Sequence, residues 1–145
     1  MRINFDMDGT IANLYGVENW LDKLMVKDES PYRDAKALIN LALLARYLNK
    51  LQRMGFEIGV ISWLAKNSTP EYNYRVTIAK TDWLAEHLPS VMWDSIEIVP
   101  YGTPKETFCL TESDILFDDE MTNRENWTGR AYAEIEIFEV LKALM

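Results

Sequence analysis

The sequence has little of what several protein classes require. It contains one cysteine, Cys109, so it can form no internal disulfide and offers no cysteine cluster for a metal. No apolar run reaches the ~20 residues that a bilayer-spanning helix needs. The first stretch, MRINFDMDGT, lacks the apolar segment of a secretory signal. We therefore expect a cytoplasmic protein without a membrane partner.

Basic residues are also scarce. Lysine and arginine total 15 against 23 aspartate and glutamate residues, and the net charge is −8. No basic block is longer than two residues, and such a surface repels long polyanions. The charge argues against a polymeric nucleic acid as partner, but not against a small anion held in a local positive pocket. No repeat or linker divides the chain, so we expect residues 1–145 to form a single domain.

Short β-rich runs alternate with longer helical patterns along the chain. Strands are predicted at residues 2–5, 56–62, 96–99, 114–117 and 129–135, and helices over 34–54, 68–89 and 137–145. The second of these helices has a start signal in Ser68 and Glu71, with a proline between them. This alternation predicts an α/β fold, a Rossmann-like parallel sheet of about five strands flanked by helices. The segment of roughly residues 14–33 is expected to form a small helical cap inserted after strand one.

Acidic residues collect where the predicted strands end. Asp6 and Asp8 follow the first strand in the stretch NFDMDGT, and Asp118 and Asp119 follow the fourth. Ligands of open parallel sheets sit outside these strand ends, and carboxylates so close repel one another unless a cation lies between them. Oxygen ligands without a neighbouring histidine or cysteine suit Mg²⁺. The four aspartates therefore predict a magnesium site.

The same edge of the sheet carries groups suited to a phosphate ester. Asp6 can attack phosphorus and form an acyl phosphate, while Asp8 can protonate the leaving alkoxide and then deprotonate water. Gly9 permits a sharp turn that would bring amide N–H groups to the phosphate. Ser62 ends the second strand and could donate a hydrogen bond to a phosphoryl oxygen. Trp63 follows it and could line the mouth of the pocket.

Two lysines compete for the remaining cationic role, which is to neutralise charge in the transition state. Lys105 is preferred, because its neighbours Thr103, Pro104 and Glu106 place it in the first turn of a short helix just before strand four. Lys80, in the stretch IAKTDW, is the alternative. We interpret Lys80 as the solvated edge of its helix.

Taken in order, these stretches resemble the motifs of the haloacid dehalogenase superfamily. DMDGT is similar to its first motif, which is Asp-x-Asp-x-Thr in the phosphatase members, and Ser62 at the end of GVIS is similar to the second. Lys105 looks like the third motif and ILFDDE like the fourth. The resemblance covers nearly the whole chain and adds Thr10 to the phosphate site.

The resemblance also implies roles for the aspartates. Asp6 would be the nucleophile and a metal ligand, and Asp8 the general acid and base whose backbone carbonyl also binds Mg²⁺. Asp119 would be the remaining direct metal ligand, with Asp118 beside it. A calcium loop of the EF-hand kind is disfavoured, because Ile11 and Val17 stand where that loop needs glycine and glutamate.

The expected function is Mg²⁺-dependent hydrolysis of a small phosphorylated metabolite, such as a nucleoside 5′-monophosphate, through an aspartyl phosphate. The acidic pair and the stretch WLAEHLP resemble the small 5′(3′)-deoxyribonucleotidases. Alternatives are a non-catalytic phosphate-binding or assembly protein, and a phosphatase acting on sugar phosphates, phosphoproteins or nucleic acid ends. A dehalogenase is disfavoured, since that chemistry does not need Mg²⁺ or the second aspartate. Candidate substrate contacts in the cap are Tyr15, Trp20, Tyr32 and Arg33, and the sequence leaves the oligomeric state open.

Overall fold

A five-stranded parallel sheet forms the centre of the computed structural model, which describes residues 1–145. Along the chain the strands are β1 (Arg2–Phe5), β2 (Ala12–Asn13), β3 (Lys36–Ala37), β4 (Glu57–Trp63), β5 (Ser95–Val99), β6 (Ile115–Phe117) and β7 (Arg130–Tyr132). The order in the sheet is β5-β4-β1-β6-β7, and every neighbouring pair is parallel. The predicted α/β fold with a Rossmann-like sheet is confirmed.

Helices flank this sheet and also form the segment that follows β2. They are α1 (Trp20–Met25), α2 (Ser30–Asp34), α3 (Leu41–Arg53), α4 (Pro70–His87), α5 (Met121–Asn126) and α6 (Ile137–Leu144), with 3₁₀ turns at Leu14–Gly16, Lys105–Phe108 and Glu134–Glu136. None of these helices combines the length and the apolar character needed to cross a lipid bilayer.

The core lies on both faces of the sheet, because successive residues of a strand point to opposite sides. On one face Val60 packs with apolar side chains of α3 and α6, such as Leu48 and Leu141. On the other face Ile61 joins a smaller cluster that contains Trp127. Burial of both faces explains why the strands read as nearly continuous apolar runs.

Two helices begin later than predicted. α3 begins at Leu41, not at residue 34, because the Asn40 side chain accepts a hydrogen bond from the amide of Leu43 at 3.0 Å and caps the helix there. Leu38, which fits the helical spacing, lies outside α3 and is 40% exposed. The cap of α4 is Thr69 and not Ser68, and the Thr69 hydroxyl accepts from the amide of Tyr72 at 3.2 Å.

The segment between β2 and β3 forms a small cap of helical turns. β2 and β3 pair antiparallel at its base, so the chain leaves and returns at one place. Within the cap, α2 packs against α4 of the sheet domain, whereas α1 contains no buried residue. The cap therefore has one anchored helix and one helix that lies at the surface.

Candidate active site

Asp6 lies at the carboxyl end of the central strand. Its amide donates to the carbonyl of Phe117 at 2.9 Å, which extends the pairing of β1 with β6 by one residue. Lys105 Nζ donates to Asp6 Oδ1 at 2.9 Å, and the Thr10 hydroxyl lies 3.1 Å from Oδ2. The Asp6 side chain is 10% exposed and lines a cavity. This carboxylate is fixed at both oxygens and still faces open space.

Lys105 joins Asp6 to the acidic pair after β6. Its Nζ donates to Asp118 Oδ2 at 2.7 Å, and its side chain is only 2% exposed. Asp118 also accepts from the amide of Glu120 at 2.9 Å and from Asn123 Nδ2 at 3.1 Å. Burial alone would lower the pKa of Lys105, but the carboxylates of Asp6 and Asp118 outweigh it and raise that pKa. The lysine therefore stays charged.

Lys80 also lies in the site, and its assignment to a solvated helix edge is wrong. Its side chain is 1% exposed, and Nζ donates to Asp8 Oδ2 at 2.7 Å, to Ser62 Oγ at 2.7 Å and to the Trp63 carbonyl at 2.6 Å. The centroid of the Tyr32 ring lies 4.9 Å from Lys80 Nζ. The helix face that carries Lys80 packs towards the sheet, and the ammonium finds three acceptors there. The two lysines therefore serve different aspartates.

Three carboxylates form the candidate metal centre. Asp6, Asp118 and Asp119 each offer an oxygen, and these oxygens lie within 4.8 Å of one another. Such a set of hard oxygen donors fits Mg²⁺. The Asp118 carboxylate accepts three hydrogen bonds from protein donors, the Asp6 carboxylate accepts two and the Asp119 carboxylate accepts one. Asp119 and Asp6 are therefore the more open ligands. The side chain of Asp8 is outside this cluster and faces Lys80.

Burial, and after it the charge of neighbouring carboxylates, raises the pKa values of Asp8, Asp118 and Asp119. Burial, together with the charges of Asp6 and Asp118, raises the pKa of Asp119 to about 8. Burial and Asp6 raise the pKa of Asp118 to about 6, although Lys105 opposes them. Burial is also the main cause that raises the pKa of Asp8, against the opposing charge of Lys80. A divalent cation at the centre would favour the ionised carboxylates.

The turn after Asp6 depends on Gly9. Gly9 has φ +83°, and a Cβ built there would lie 2.4 Å from Asp119 Oδ2. The Gly9 amide itself donates within the turn, to the carbonyl of Ala12 at 2.9 Å. The amides of Met7 and Asp8 have no protein acceptor. They are the amides of this turn that remain available to a bound anion.

The cavity above Asp6 has a volume of about 600 Å³. Its floor contains Asp6, Asp8, Lys105, Asp118 and Asp119. Its upper wall is mostly apolar and comes from the cap, through Leu14, Tyr15, Trp20, Leu21, Leu24, Met25 and Tyr32. The cavity therefore offers an ionic end and an apolar end.

Some of the other predicted site residues lie in the cavity wall, and others lie in the protein interior. Trp63 lines the cavity, donates from Nε1 to the Thr103 carbonyl at 2.8 Å, and lies 5.3 Å from Lys105 Nζ. Ser62 and Thr10 are fully buried and are not part of the cavity wall. The structure thus brings every predicted site residue to one edge of the sheet, but not every one into contact with the cavity.

Among the predicted cap contacts, Arg33 is the exception. Tyr15, Trp20 and Tyr32 line the cavity. The Arg33 side chain does not, since it is 52% exposed and its Nε lies 3.7 Å from Asp34 Oδ1. The sequence did not identify Asn123, which is largely buried, lines the cavity and donates to Asp118. An asparagine in the first turn of a short helix after an acidic pair gave no separate signal.

Comparison with known proteins supports the fold. No protein-family model matches the chain, and neither does any curated protein sequence. A D,D-heptose 1,7-bisphosphate phosphatase from Burkholderia thailandensis is similar in structure, with a TM-score of 0.52 and 12% identity over 89% of this chain and 74% of that one. A chain of the Pnkp1/Rnl/Hen1 complex is similar with a TM-score of 0.55 and 15% identity, over 91% of this chain and 44% of that one. The chain has a haloacid dehalogenase-like fold.

Proposed function

We propose that this protein is a phosphomonoester hydrolase that uses Asp6 as nucleophile and Asp8 as general acid and base. The observation that carries the proposal is the surroundings of Asp6. This carboxylate faces a cavity of about 600 Å³, accepts a hydrogen bond from a buried lysine, and lies beside two more carboxylates. A phosphate at this position would meet a nucleophile, a fixed positive charge and a cation site together.

The proposed reaction has two steps. An Asp6 oxygen attacks phosphorus, the ester P–O bond breaks, and the leaving alkoxide takes a proton from Asp8. A water molecule then attacks the phosphorus of the acyl phosphate, gives its proton to Asp8, and releases inorganic phosphate with regeneration of Asp6. Lys105 supplies a positive charge for the developing charge on the phosphoryl group. The free amides of Met7 and Asp8 are further candidate donors.

The proposal includes Mg²⁺ at the carboxylate cluster. Asp6 and Asp119 would hold it directly, with Asp118 beside them and the backbone carbonyl of Asp8 as a further ligand. When bound, the cation would offset the repulsion between the carboxylates and an incoming phosphate dianion. The chain's own donors, chiefly Lys105 on Asp6 and Asp118, keep the carboxylates in place.

The proposed substrate is a small phosphorylated metabolite with a flat apolar group, such as a nucleoside 5′-monophosphate. The apolar upper wall supports this, because Tyr15 and Trp20 pack edge to face with ring centroids 4.9 Å apart and offer aromatic surface to a base. A single phosphate needs only the local charges of the floor, whereas the net charge of −8 disfavours a nucleic acid polymer. We place this activity in the cytoplasm, in line with the single cysteine.

The test is a panel of phosphomonoesters assayed with and without divalent metal. We expect hydrolysis with Mg²⁺, loss of it in chelator and no recovery with Ca²⁺, which prefers more ligands and longer bonds. Nucleoside monophosphates should exceed sugar phosphates in kcat/KM. The Asp6→Asn variant is the control for contaminating phosphatases. Full activity in chelator would contradict the proposed dependence on Mg²⁺. Failure to hydrolyse any ester would contradict the proposed phosphatase activity.

A further inference from the structure

Two lysines line the mouth of the cavity without a carboxylate partner. Lys27 lies just after α1 in the cap, Lys66 lies just after β4, and both belong to the cavity wall. Neither ammonium has a carboxylate oxygen within 4.0 Å. In a chain of net charge −8, the two lysines give this part of the cavity a local positive charge, well away from the carboxylates of the floor.

A direct contact joins the cap to the loop after β4 at this place. Lys27 Nζ donates to the carbonyl of Asn67 at 2.8 Å, so it reaches the residue next to Lys66. Lys27 has φ +61° and Asn67 has φ +55°, in the left-handed region that few residues other than glycine adopt. Arg75 Nη2 of α4 donates to the carbonyl of Lys27 at 2.9 Å and holds this backbone in place. The two lysines therefore belong to one part of the mouth.

Both ammonium groups have N–H donors to offer to a ligand. An ammonium has three donors, and Lys27 uses one of them on the Asn67 carbonyl. Lys66 Nζ lies 5.8 Å from the centroid of the Tyr101 ring and has no protein acceptor. Hydrogen bonds from an ammonium to a phosphate or a carboxylate are stronger than those between neutral groups. An anion is therefore the ligand that suits this part of the mouth.

Two aromatic rings connect the mouth with the floor. The centroid of the Trp63 ring lies 5.3 Å from Lys105 Nζ, and the centroids of Trp63 and Tyr101 are 5.1 Å apart. Both rings line the cavity, and the second of them carries Lys66 Nζ above it. A substrate with its phosphate at Lys105 can lie along these rings, so that its far end meets Lys66.

We propose that Lys27 and Lys66 select substrates with a second anionic group, a phosphate or a carboxylate, at the end remote from the scissile phosphate. The inference rests on the proposed function and narrows its substrate to a small phosphomonoester with a charge at each end. A few well-placed polar groups usually set the specificity of such a cavity. Because neither lysine contacts the carboxylates of the floor, their loss should change KM and leave kcat nearly unchanged.

A matched series of aryl phosphates tests this inference on the full chain. The esters are 4-methylphenyl, 4-(carboxymethyl)phenyl and 4-(phosphonomethyl)phenyl phosphate, together with the corresponding biphenyl series for a longer reach. Within a series only the far end changes, and the phosphonate cannot be hydrolysed in place of the ester. We expect kcat/KM of the wild type to be about tenfold higher or more for a charged ester than for the methyl ester, the low end for a hydrogen bond to a charged group. The better of the two charged esters identifies the second group as carboxylate or phosphate.

Lysine variants then assign the preference to the mouth. Lys66→Met and Lys27→Met should each raise KM for the preferred charged ester by roughly tenfold. KM for the methyl ester, and kcat for both esters, should change by less than about threefold. Lys50→Met, at an exposed lysine of α3 outside the cavity, is the control and should change none of these values. An equal loss for charged and methyl esters would show that the lysines only attract the scissile phosphate, which overturns the inference.

Charge reversal gives the sharpest result. Lys66→Glu should make the methyl ester the better substrate, because the new carboxylate repels the second anionic group. Thermal unfolding separates recognition from support of the cap: if Lys27→Met melts lower and loses all esters equally, the part assigned to Lys27 is overturned. An active wild type without preference for a charged ester in either series overturns the inference alone. A wild type that hydrolyses no ester overturns the proposed function, and the inference with it.

Discussion

The floor and the upper wall of the cavity differ in how tightly their side chains are held. On the floor, Lys105 is almost completely buried and binds Asp6 and Asp118 at 2.9 and 2.7 Å. Asp8 is held in the same way, at 2.7 Å, by the buried Lys80. On the wall, Leu21 and Met25 of α1 are 53% and 70% exposed, and α1 has no buried residue. The contrast indicates that the side chains of the floor are held in place for the reaction, whereas the side chains of the wall can adjust to the substrate. Changes on the floor should therefore affect kcat, and changes on the wall should affect KM.

The largest effect is expected for Asp6→Asn. Its amide cannot serve as the nucleophile, so kcat should fall by about 10⁴-fold or more, as it does when other enzymes lose their nucleophile. The melting temperature should not fall, because the change removes one of three crowded carboxylates. Steady-state hydrolysis with saturating Mg²⁺ measures the effect. Wild-type activity in this variant would show that the nucleophile is elsewhere.

Asp8→Asn should have the next largest effect. It leaves Asp6 in place but removes the acid and base, a contribution of typically 10²–10⁴-fold in kcat. A substrate with a good leaving group, such as 4-nitrophenyl phosphate, needs less protonation of the alkoxide in the first step. We therefore expect the loss in phosphoenzyme formation to be smaller for that substrate than for an alkyl phosphate. An equal loss for both would argue against general acid catalysis by Asp8.

Trp20→Ala tests the prediction that a change on the wall affects KM and leaves kcat nearly unchanged. Stacking of a base on an aromatic ring is worth about 1–3 kcal/mol, so KM for a nucleoside monophosphate should rise by roughly ten- to a hundred-fold with kcat nearly unchanged. KM for a small aliphatic phosphate should stay the same. Tyr74→Ala is the matched control, because Tyr74 is 68% exposed and does not line the cavity.

Trp63→Ala is the less specific test of recognition. Trp63 lies 5.3 Å from Lys105 Nζ and is bound to the Thr103 carbonyl. Its loss should disturb the floor as well as the wall, so kcat and KM should both change. If Trp20→Ala changes kcat as strongly as Trp63→Ala does, the separation of floor from wall fails.

The smallest predicted effect is on stability. The pKa of Asp119 is raised to about 8 in the fold, so the folded state holds its proton above the unfolded pKa of about 3.9. This group's contribution to stability is present at low pH and is lost as the pH rises towards 8. Without metal, Asp119→Asn should raise the melting temperature by about 2–5 °C at pH 8 and less at pH 5.

Bound Mg²⁺ should reverse the order of the two melting temperatures, so that the wild type melts above Asp119→Asn. Mg²⁺ should stabilise the wild type, because a ligand that binds only the folded state raises its stability, and should stabilise Asp119→Asn much less. Thermal unfolding with and without Mg²⁺ at both pH values measures this. A lower melting temperature for Asp119→Asn without metal at pH 8 would contradict the repulsion among these carboxylates.

Much of the fold follows from local patterns. The five strands of the parallel sheet could be predicted from short β-rich runs, whereas β2 and β3 have two residues each and were not predicted. The position of the site followed from the rule that ligands lie outside the carboxyl ends of parallel strands. The start of α3 was predicted seven residues too early, at 34 instead of 41. The apolar spacing continues through Leu38, and only the capping geometry of Asn40 shows where the helix begins.

The burial of Lys80 contradicts the general rule that a single charged residue on a helix faces solvent, so its role could not be predicted from that rule. A closer signal exists in the same helix. Lys80 lies four residues after Val76 and three before Trp83, both of them buried, so it falls on the buried face. A lysine there needs an acidic partner, but the sequence does not say which aspartate, since the fold decides that Lys80 meets Asp8 and Lys105 meets Asp6.

The most direct test of the account is the chemical identity of the intermediate. The Asp8→Asn variant is mixed with Mg²⁺ and 4-nitrophenyl phosphate, quenched in acid within milliseconds to seconds, and examined by intact mass and peptide mapping. We predict one added phosphoryl group, located on Asp6 and absent from the Asp6→Asn/Asp8→Asn double variant. A phosphoryl group on another residue, or release of phosphate with none on the protein at any time, would contradict the assignment of Asp6 as nucleophile.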